Sequence, residues 1–408
     1  MLCTVIALVW VNSPLRASYD ALWHTMLSVG FADWLFLRDL HFWVNDGLMA
    51  LFFFVVGLEI KRELMVGELA TPRQAMLPLV GALGGVLAPA LIFTAFNYGG
   101  EGASGWGVPM ATDIAFVIGV MALLGDRVPI GLKVFLTALA IVDDIVAVLV
   151  IAVFYTSEIS WAGLGVAGIA LLVLFAANRL GVRHPLPYAI VGIVVWLAVL
   201  YSGVHATIAG VLVAFTIPAR SILNAPDFLG HSRYILDHFE HHASKEQSVM
   251  NDAEQQIAIE ALEDSCEKAQ PPLYRLEQAF HPWVSFFIMP VFALANAGVV
   301  FGGDLTRLLV EPVTLGVILG LFLGKPIGIC AFAWIAIKSS LADLPHGVNW
   351  SHIVGAGFLG GIGFTMSLFI AALAFSNQEL LSTAKFGILL GSLVAAIGGS
   401  AILLRTRK

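Results

Sequence analysis

The run ALAIVDDIVAVLVIAVF, Ala138 to Phe154, limits the fold more than any other stretch, because it sets two adjacent carboxylates, Asp143 and Asp144, inside apolar sequence. A soluble core would drive such a pair to the surface, and in lipid each acid costs roughly 2.5–3.5 kcal/mol at a helix centre. Composition decides between the two settings. The 408 residues are 59% hydrophobic and 12% charged, where soluble domains carry about 25% charged residues. The chain therefore reads as an all-α polytopic membrane protein, and something other than water must hold the two acids.

Apolar runs that span, or nearly span, a bilayer occur at about 1–13, 42–58, 76–96, 107–124, 134–154, 161–177, 186–201, 204–218, 282–300, 313–335, 352–375 and 383–403. This predicts about twelve transmembrane helices, several of them short, tilted or broken. Lys61, Arg62 and Arg73 follow span two, Arg127 and Lys133 span four, Arg179 and Arg183 span six, and Lys338 span ten. Arg405, Arg407 and Lys408 close the chain, whereas the opposite connections NYGGEGASG, YTSEIS and SNQELLS hold no base. Only Arg16, Arg38 and Arg307 fall on that side. The bias puts both termini in the cytoplasm.

The first run lacks a basic leader and a small-residue cleavage site, so it reads as a short span rather than a cleaved signal. Cys3, Cys266 and Cys330 have no metal-like spacing and imply no disulfide framework. Residues 222–280 interrupt the pattern with a polar, acidic cytoplasmic insert that leads into span nine. Leu, Ile, Phe and Ala recur there near helical spacing, so a short helical excursion and disorder both fit. His238 and His242 stand four apart, but a solvated helix face explains them better than a metal clamp. The expected organisation is spans one to eight over 1–221, the insert over 222–280, and spans nine to twelve over 281–408.

Two spans carry helix breakers at their middles. Span four, GWGVPMATDIAFVIGV, contains Pro109, which lacks a backbone donor, and Thr112 and Asp113, which favour N-caps over helix interiors. Span eleven, GAGFLGGIGFTMSLF, contains Gly355, Gly357, Gly360, Gly361 and Gly363. Taken alone, the glycines fit close helix packing. Span four, however, is the middle of a triplet at about 76–154, and span eleven the middle of one at about 313–403, with opposite topology. Paired interrupted helices in inverted repeats mark the binding site of secondary transporters.

The buried charges are Asp113, Asp143, Asp144 and Lys325. Each break leaves backbone N–H and C=O groups without partners, and opposed helix ends concentrate partial charge. Asp113 and Lys325 suit the balancing of such ends. Asp143 and Asp144 point about 100° apart on a helix, so only one can meet Lys325 while the other faces a water-filled cavity. Like charges in low dielectric titrate as a coupled unit. Hard cations take oxygen ligands, which carboxylates, Thr112 and exposed carbonyls supply. Competition of Na+ and H+ for the same oxygens is exchange, so Asp143 and Asp144 are the expected ligands of a transported Na+.

The segments FFFVVGLEIKREL, ATDIAFVIGVMALLG, FLTALAIVDDIVAV, SGVHATIAG, HPWVSFFIMPVFALANAGV, GKPIGI and GIGFTMSLFIA closely resemble the NhaA-type bacterial sodium/proton antiporters. That family is itself a standard example of the inverted-repeat architecture. The resemblance runs from about residue 40 to the end. It implies that Asp144 is the main cation ligand, with Asp143 beside it coupling ion and proton, and that the broken helices cross at Thr112 and Asp113. Lys325 matches the buried lysine of span ten, and Asp46 matches an acid that starts span two. Glu59, Arg62, Glu63, Glu277 and His281 match a cytoplasmic funnel cluster linked to pH response, and His205 a histidine with the same link. The resemblance further implies Na+, Li+ and H+ as partners, a homodimer, and the bacterial inner membrane. The chain departs from the best-known members in its long segment 222–275 and in Tyr274, which stands in a usually more basic stretch.

The expected function is electrogenic, pH-regulated export of Na+ or Li+ in return for protons. A passive cation channel would present a repeated filter, and a sodium-coupled solute symporter a larger apolar pocket with a recognising Arg or aromatic group; neither stands out. No nucleophile–base pair, phosphate loop, cofactor motif or nucleic-acid patch appears, so the chain reads as a transporter and not an enzyme.

Overall fold

The computed structural model describes residues 2–31, 34–156, 159–242, 253–300 and 305–406, and helices dominate it. Among the described residues, seven helices are long and apolar enough to cross a membrane: Leu40–Val66, Pro72–Asn97, Ile130–Phe154, Trp161–Arg179, Pro272–Asn296, Pro312–Lys338 and Gln378–Arg405. Two bent pairs raise the number to nine. The other three expected spans are the helices Leu2–Val11, Pro185–Leu200 and Ile208–Thr216, of 10, 16 and 9 residues. Each falls short of the roughly 20 residues a full crossing needs.

Many apolar side chains point outward, such as Leu123 at 86% and Phe286 at 85% exposure, as lipid-facing helices require. Inward-facing side chains form two clusters. The larger surrounds Ile130–Phe154 and Phe364–Ala374; the smaller joins Trp161–Arg179, Pro185–Leu200 and Ile208–Thr216 through Leu174, Tyr188, Val195 and Val213.

A straight, broken, straight order occurs twice. Pro72–Asn97, the pair Glu101–Met110 with Ile114–Arg127, and Ile130–Phe154 make the first set. Pro312–Lys338, the pair Trp350–Gly360 with Phe364–Ala374, and Gln378–Arg405 make the second. The bends are 43° and 44°. The two sets meet backbone to backbone at Gly84 and Gly328, where a Cβ on either glycine would strike the other's carbonyl oxygen. Gly84→Val should therefore cost about 1–3 kcal/mol through overpacking. Gly168→Val, in open space, should cost far less. Melting temperatures of both in detergent check this; equal values would contradict the contact.

Two features add to the sequence expectation. Met26–Phe31 and Trp34–Asp39 pair as an antiparallel hairpin, the only strands among the described residues of an otherwise helical fold. Asp39 ends the hairpin and caps the next helix, its carboxylate accepting from the Phe42 N–H at 2.8 Å. The insert, for which helix and disorder both fitted, forms helices Ala225–His242 and Ala253–Ala269 that pack on each other. Its neck is closed by backbone bonds: Ile222 N and Leu223 N donate to Lys268 O at 2.9 and 3.1 Å, and Leu273 N to Pro218 O at 3.0 Å. His238 stacks on Tyr234 and lies 3.7 Å from Glu254. Among the described residues no cluster of three metal-ligating side chains occurs, and the side chain of His242 lies outside them, as do Arg407 and Lys408.

Candidate ion site

The breaks fall where polar sequence and glycine remove helical bonding. The first broken helix is a 3-10 segment, Glu101–Met110, followed by extended residues 111–113 and the α-helix Ile114–Leu124. The second breaks between Gly360 and Phe364. Gly355 and Gly357 lie inside the helix Trp350–Gly360, where they admit Leu403 and Pro326. Close packing thus explains those two glycines, and Gly360, Gly361 and Gly363 mark the break.

The two breaks cross, and Asp113 N donates to Ile362 O at 2.7 Å. The Asp113 carboxylate accepts from Phe116 N at 3.2 Å, from Thr365 N at 3.0 Å and from the Thr365 hydroxyl. One acid thereby caps both inward-facing helix N-termini, as their positive ends require. The opposite ends are met by hydroxyls: Ser367 Oγ donates to Val108 O at 2.7 Å, and Thr112 Oγ1 lies 2.8 Å from Gly360 O. Ser392, from the last span, accepts from Phe364 N at 3.1 Å.

Asp143 and Asp144 approach this crossing on Ile130–Phe154, and both are at most 2% exposed. As the 100° offset requires, they have different partners. Asp143 Oδ2 accepts from Lys325 Nζ and from Thr112 Oγ1 at 2.5 Å, and Lys325 Nζ also donates to Thr112 Oγ1 at 2.9 Å. Thr112 has one proton for two acceptors, Asp143 and Gly360 O, so it serves only one at a time. Lys325 is wholly buried and follows a π-helical turn, Gly320–Gly324. Asp144 has no ion pair among the described residues and is enclosed rather than facing an open cavity. The Oδ1 atoms of Asp143 and Asp144 are both buried without a partner. The charges acting on Asp144 are those of Asp143, Glu59, Asp113 and Lys325. Two free carboxylate oxygens, a hydroxyl and a carbonyl at a helix end make an oxygen-rich site suited to a hard cation.

The six residues expected to share a pH response do not come together. Arg62 bridges Glu277 at 2.7 Å and Glu63 at 3.0 Å. Glu59 feels the charges of Arg62, Glu277 and Glu63, and His281 acts on Glu277 from one turn further along. His205 lies elsewhere, with Nδ1 3.8 Å from Asp46 Oδ1. Asp46 and Glu59 are thirteen positions apart on Leu40–Val66, or about 20 Å at 1.5 Å per residue. His205 thus belongs to the opposite end of that helix.

Sequence reasoning missed Thr365, Ser367 and Ser392, which satisfy the broken ends. The available signal was FTMS directly after the glycine run, which puts two hydroxyls in the first turn of a half-helix.

A family profile described as Na+/H+ antiporter 1 matches residues 1–403. The chain is 53% identical over 411 residues to a relative named Na(+)/H(+) antiporter NhaA from Oleidesulfovibrio alaskensis, covering 100% of this chain and 91% of the relative. A relative of the same name from Koribacter versatilis is 52% identical over 402 residues, covering 98% and 87%. Among solved structures, the sodium proton antiporter MjNhaP1 from Methanocaldococcus jannaschii gives a TM-score of 0.48 at 13% identity, covering 99% of this chain and 91% of that one. A likeness that low carries no argument about this site.

Proposed function

Because the chain belongs to the Na+/H+ antiporter 1 family, a family of membrane transporters and not of enzymes, we propose that it exchanges Na+ or Li+ for protons at the Asp143–Asp144 pair. The observation that carries this reading is the pair of buried Oδ1 atoms without partners. Leaving a carboxylate oxygen unsatisfied in a low-dielectric interior is costly unless a proton or a cation fills the place in turn. Asp144, which has no lysine, is the principal ligand. Asp143 trades Lys325 for the cation, and the Thr112 hydroxyl and nearby carbonyls complete the oxygen shell. One proton leaves Asp144 and a second leaves the Lys325–Asp143 pair when the cation displaces the lysine, so two protons exchange for one monovalent cation and the cycle is electrogenic. The excess of Lys and Arg at one set of span ends supports both termini lying on the cytoplasmic side of a bacterial inner membrane, with Arg62, Glu63, Glu59, Glu277 and His281 as the cytoplasmic approach that tunes activity to pH.

The test is fluorescence of a pH dye in everted vesicles given Na+, Li+ and K+ separately across pH. Na+ and Li+ should collapse the proton gradient and K+ should not. Collapse by K+ alone would contradict the reading.

The insert should tune this response without being needed for it. Its neck is closed, the described residues of 225–267 include no buried charge, and Glu267 reaches the funnel helix through Arg275 at 2.7 Å. Loop closure entropy depends weakly on length, so replacing 225–267 by a short turn should leave exchange intact. Losing an acidic, histidine-bearing arm lowers the local proton occupancy of the funnel groups, so the activation midpoint should move to lower pH. Superimposable pH curves in low salt would show the insert to be a passive linker.

A further inference from the structure

The span Pro312–Lys338 and the half-helix Trp350–Gly360 leave a groove of about 240 Å³ between them. Leu323, Ile327 and Cys330 form one wall, Val354 and Phe358 the other, and buried Pro326 the floor. Leu323 and Ile327 are exposed, so the groove faces outward, and its lining is apolar apart from the Cys330 thiol. Both walls continue to the membrane surface. Leu323, Ile327, Cys330, Trp334 and Lys338 recur at three- and four-residue steps, one stripe along their helix. Trp350, Val354 and Phe358 recur every four residues on the helix that returns. Both tryptophans are exposed and stand near the connection between the two helices, where aromatic side chains meet the headgroup layer. Lys338 Nζ lies 4.5 Å from the Trp334 ring centroid, and Lys338 makes no ion pair among the described residues. At the other end Phe322 and Phe358 close the groove, their ring centroids 5.2 Å apart.

We propose that this groove seats one acyl tail of a phospholipid, with the lipid's phosphate at Lys338. Depth and size decide the occupant. Leu323 lies fifteen positions from Lys338, or about 22 Å at 1.5 Å per residue, which is half of a bilayer with its headgroups. No soluble partner reaches that depth, and a transmembrane helix about 10 Å wide does not fit so small a volume. A polar ligand or an ion finds no partner on these walls. Leaving water contributes nothing to binding, because the tail comes from among other tails. Affinity comes instead from continuous contact with two preformed walls and from a charge-assisted pair at Lys338. The seat bears on the ion site. Gly357 packs against Pro326 with no room for a Cβ, one turn before Gly360, whose carbonyl oxygen lies 2.8 Å from Thr112 Oγ1. Lys325 directly precedes Pro326. A bound tail thus braces the two helices that carry these groups. Binding does not depend on exchange, and only the choice of leaflet rests on the orientation proposed above.

The experiment is photolabelling of the purified full-length protein in detergent by phosphatidylethanolamine with a diazirine at mid-tail, the labelled sites being mapped by peptide mass spectrometry. Labelling within 323–330 and 354–358 should saturate as the probe is raised. Labelling around Leu123 and Phe286, which are exposed apolar surface, should rise in proportion to the probe. Cys330→Phe and Val354→Phe fill the groove from opposite walls, and each should abolish the saturable component. Lys338→Gln should raise the half-saturating probe concentration about two- to fivefold, the share of one interfacial lysine. If one groove-filling variant does not fold, the other decides, and Lys338→Gln, an exposed change, tests the phosphate contact separately. Labelling of the groove in simple proportion to the probe would mean annular lipid only and would overturn the proposal. Saturable labelling that survives in the filled variants, or a half-saturation that Lys338→Gln leaves unmoved, would overturn it too. Because labelling is read without transport, a failure of the exchange reading would leave this result standing.

Discussion

Asp144→Asn is expected to reduce Na+-driven proton movement to background while leaving the melting temperature unchanged or raised. The amide keeps the shape of the side chain but removes the ligand charge and the titrating proton together. No ion pair is lost, because Asp144 has none among the described residues, and its Oδ1 is unsatisfied in the wild type. A buried unpaired acid is a burden on the fold, so neutralising it cannot weaken the core much. Vesicle transport and thermal unfolding of the same preparation check both halves. Exchange at the wild-type rate would remove Asp144 from the site, and a large fall in melting temperature would show a structural role instead.

Lys325→Ala should do the reverse to stability. Lys325 is fully buried and donates to Asp143 Oδ2 and Thr112 Oγ1. Its removal leaves Asp143 uncompensated, and breaking a buried pair from one side costs about 3–5 kcal/mol. Protonation of Asp143 would recover part of that loss at acid pH, so the deficit should be largest at alkaline pH. The double change Lys325→Met with Asp143→Asn should restore much of the melting temperature, because a neutral pair of similar volume has no orphaned charge. Thermal unfolding of the single and double variants at two pH values decides the matter. An unchanged melting temperature for Lys325→Ala would mean the ion pair contributes nothing.

The breaks were legible because lipid makes helix breakers conspicuous. Pro109, Thr112 and Asp113 have no reason to interrupt an apolar run unless the backbone opens there, and Asp113 does cap both half-helices. That Asp143 and Asp144 could not both meet Lys325 followed from helix geometry, since 100° separates adjacent side chains; which of them does so, Asp143, did not. Other features left no trace in hydropathy. The Met26–Asp39 hairpin lies in the connection between the first two apolar runs, and its second strand, WLFLRD, does not alternate apolar with polar residues. Thr365 and Ser367 were overlooked because hydroxyls in membrane helices commonly bond to their own preceding turn; only at a helix start do they face outward to Asp113 and Val108. The resemblance links His205 to pH response without giving it a place, and no local pattern could show that it lies beside Asp46, at the end of Leu40–Val66 opposite the funnel residues.

Competition between Na+ and H+ at one carboxylate pair has a signature that no accessory site reproduces. The measurement is the apparent KM for Na+ across a series of pH values in proteoliposomes, with the maximal rate followed alongside. Competition predicts that KM rises as pH falls, approaching about tenfold per pH unit for each competing proton, while saturating Na+ restores the maximal rate. A KM that stays constant while the maximal rate alone falls would show that protons act somewhere other than Asp143 and Asp144.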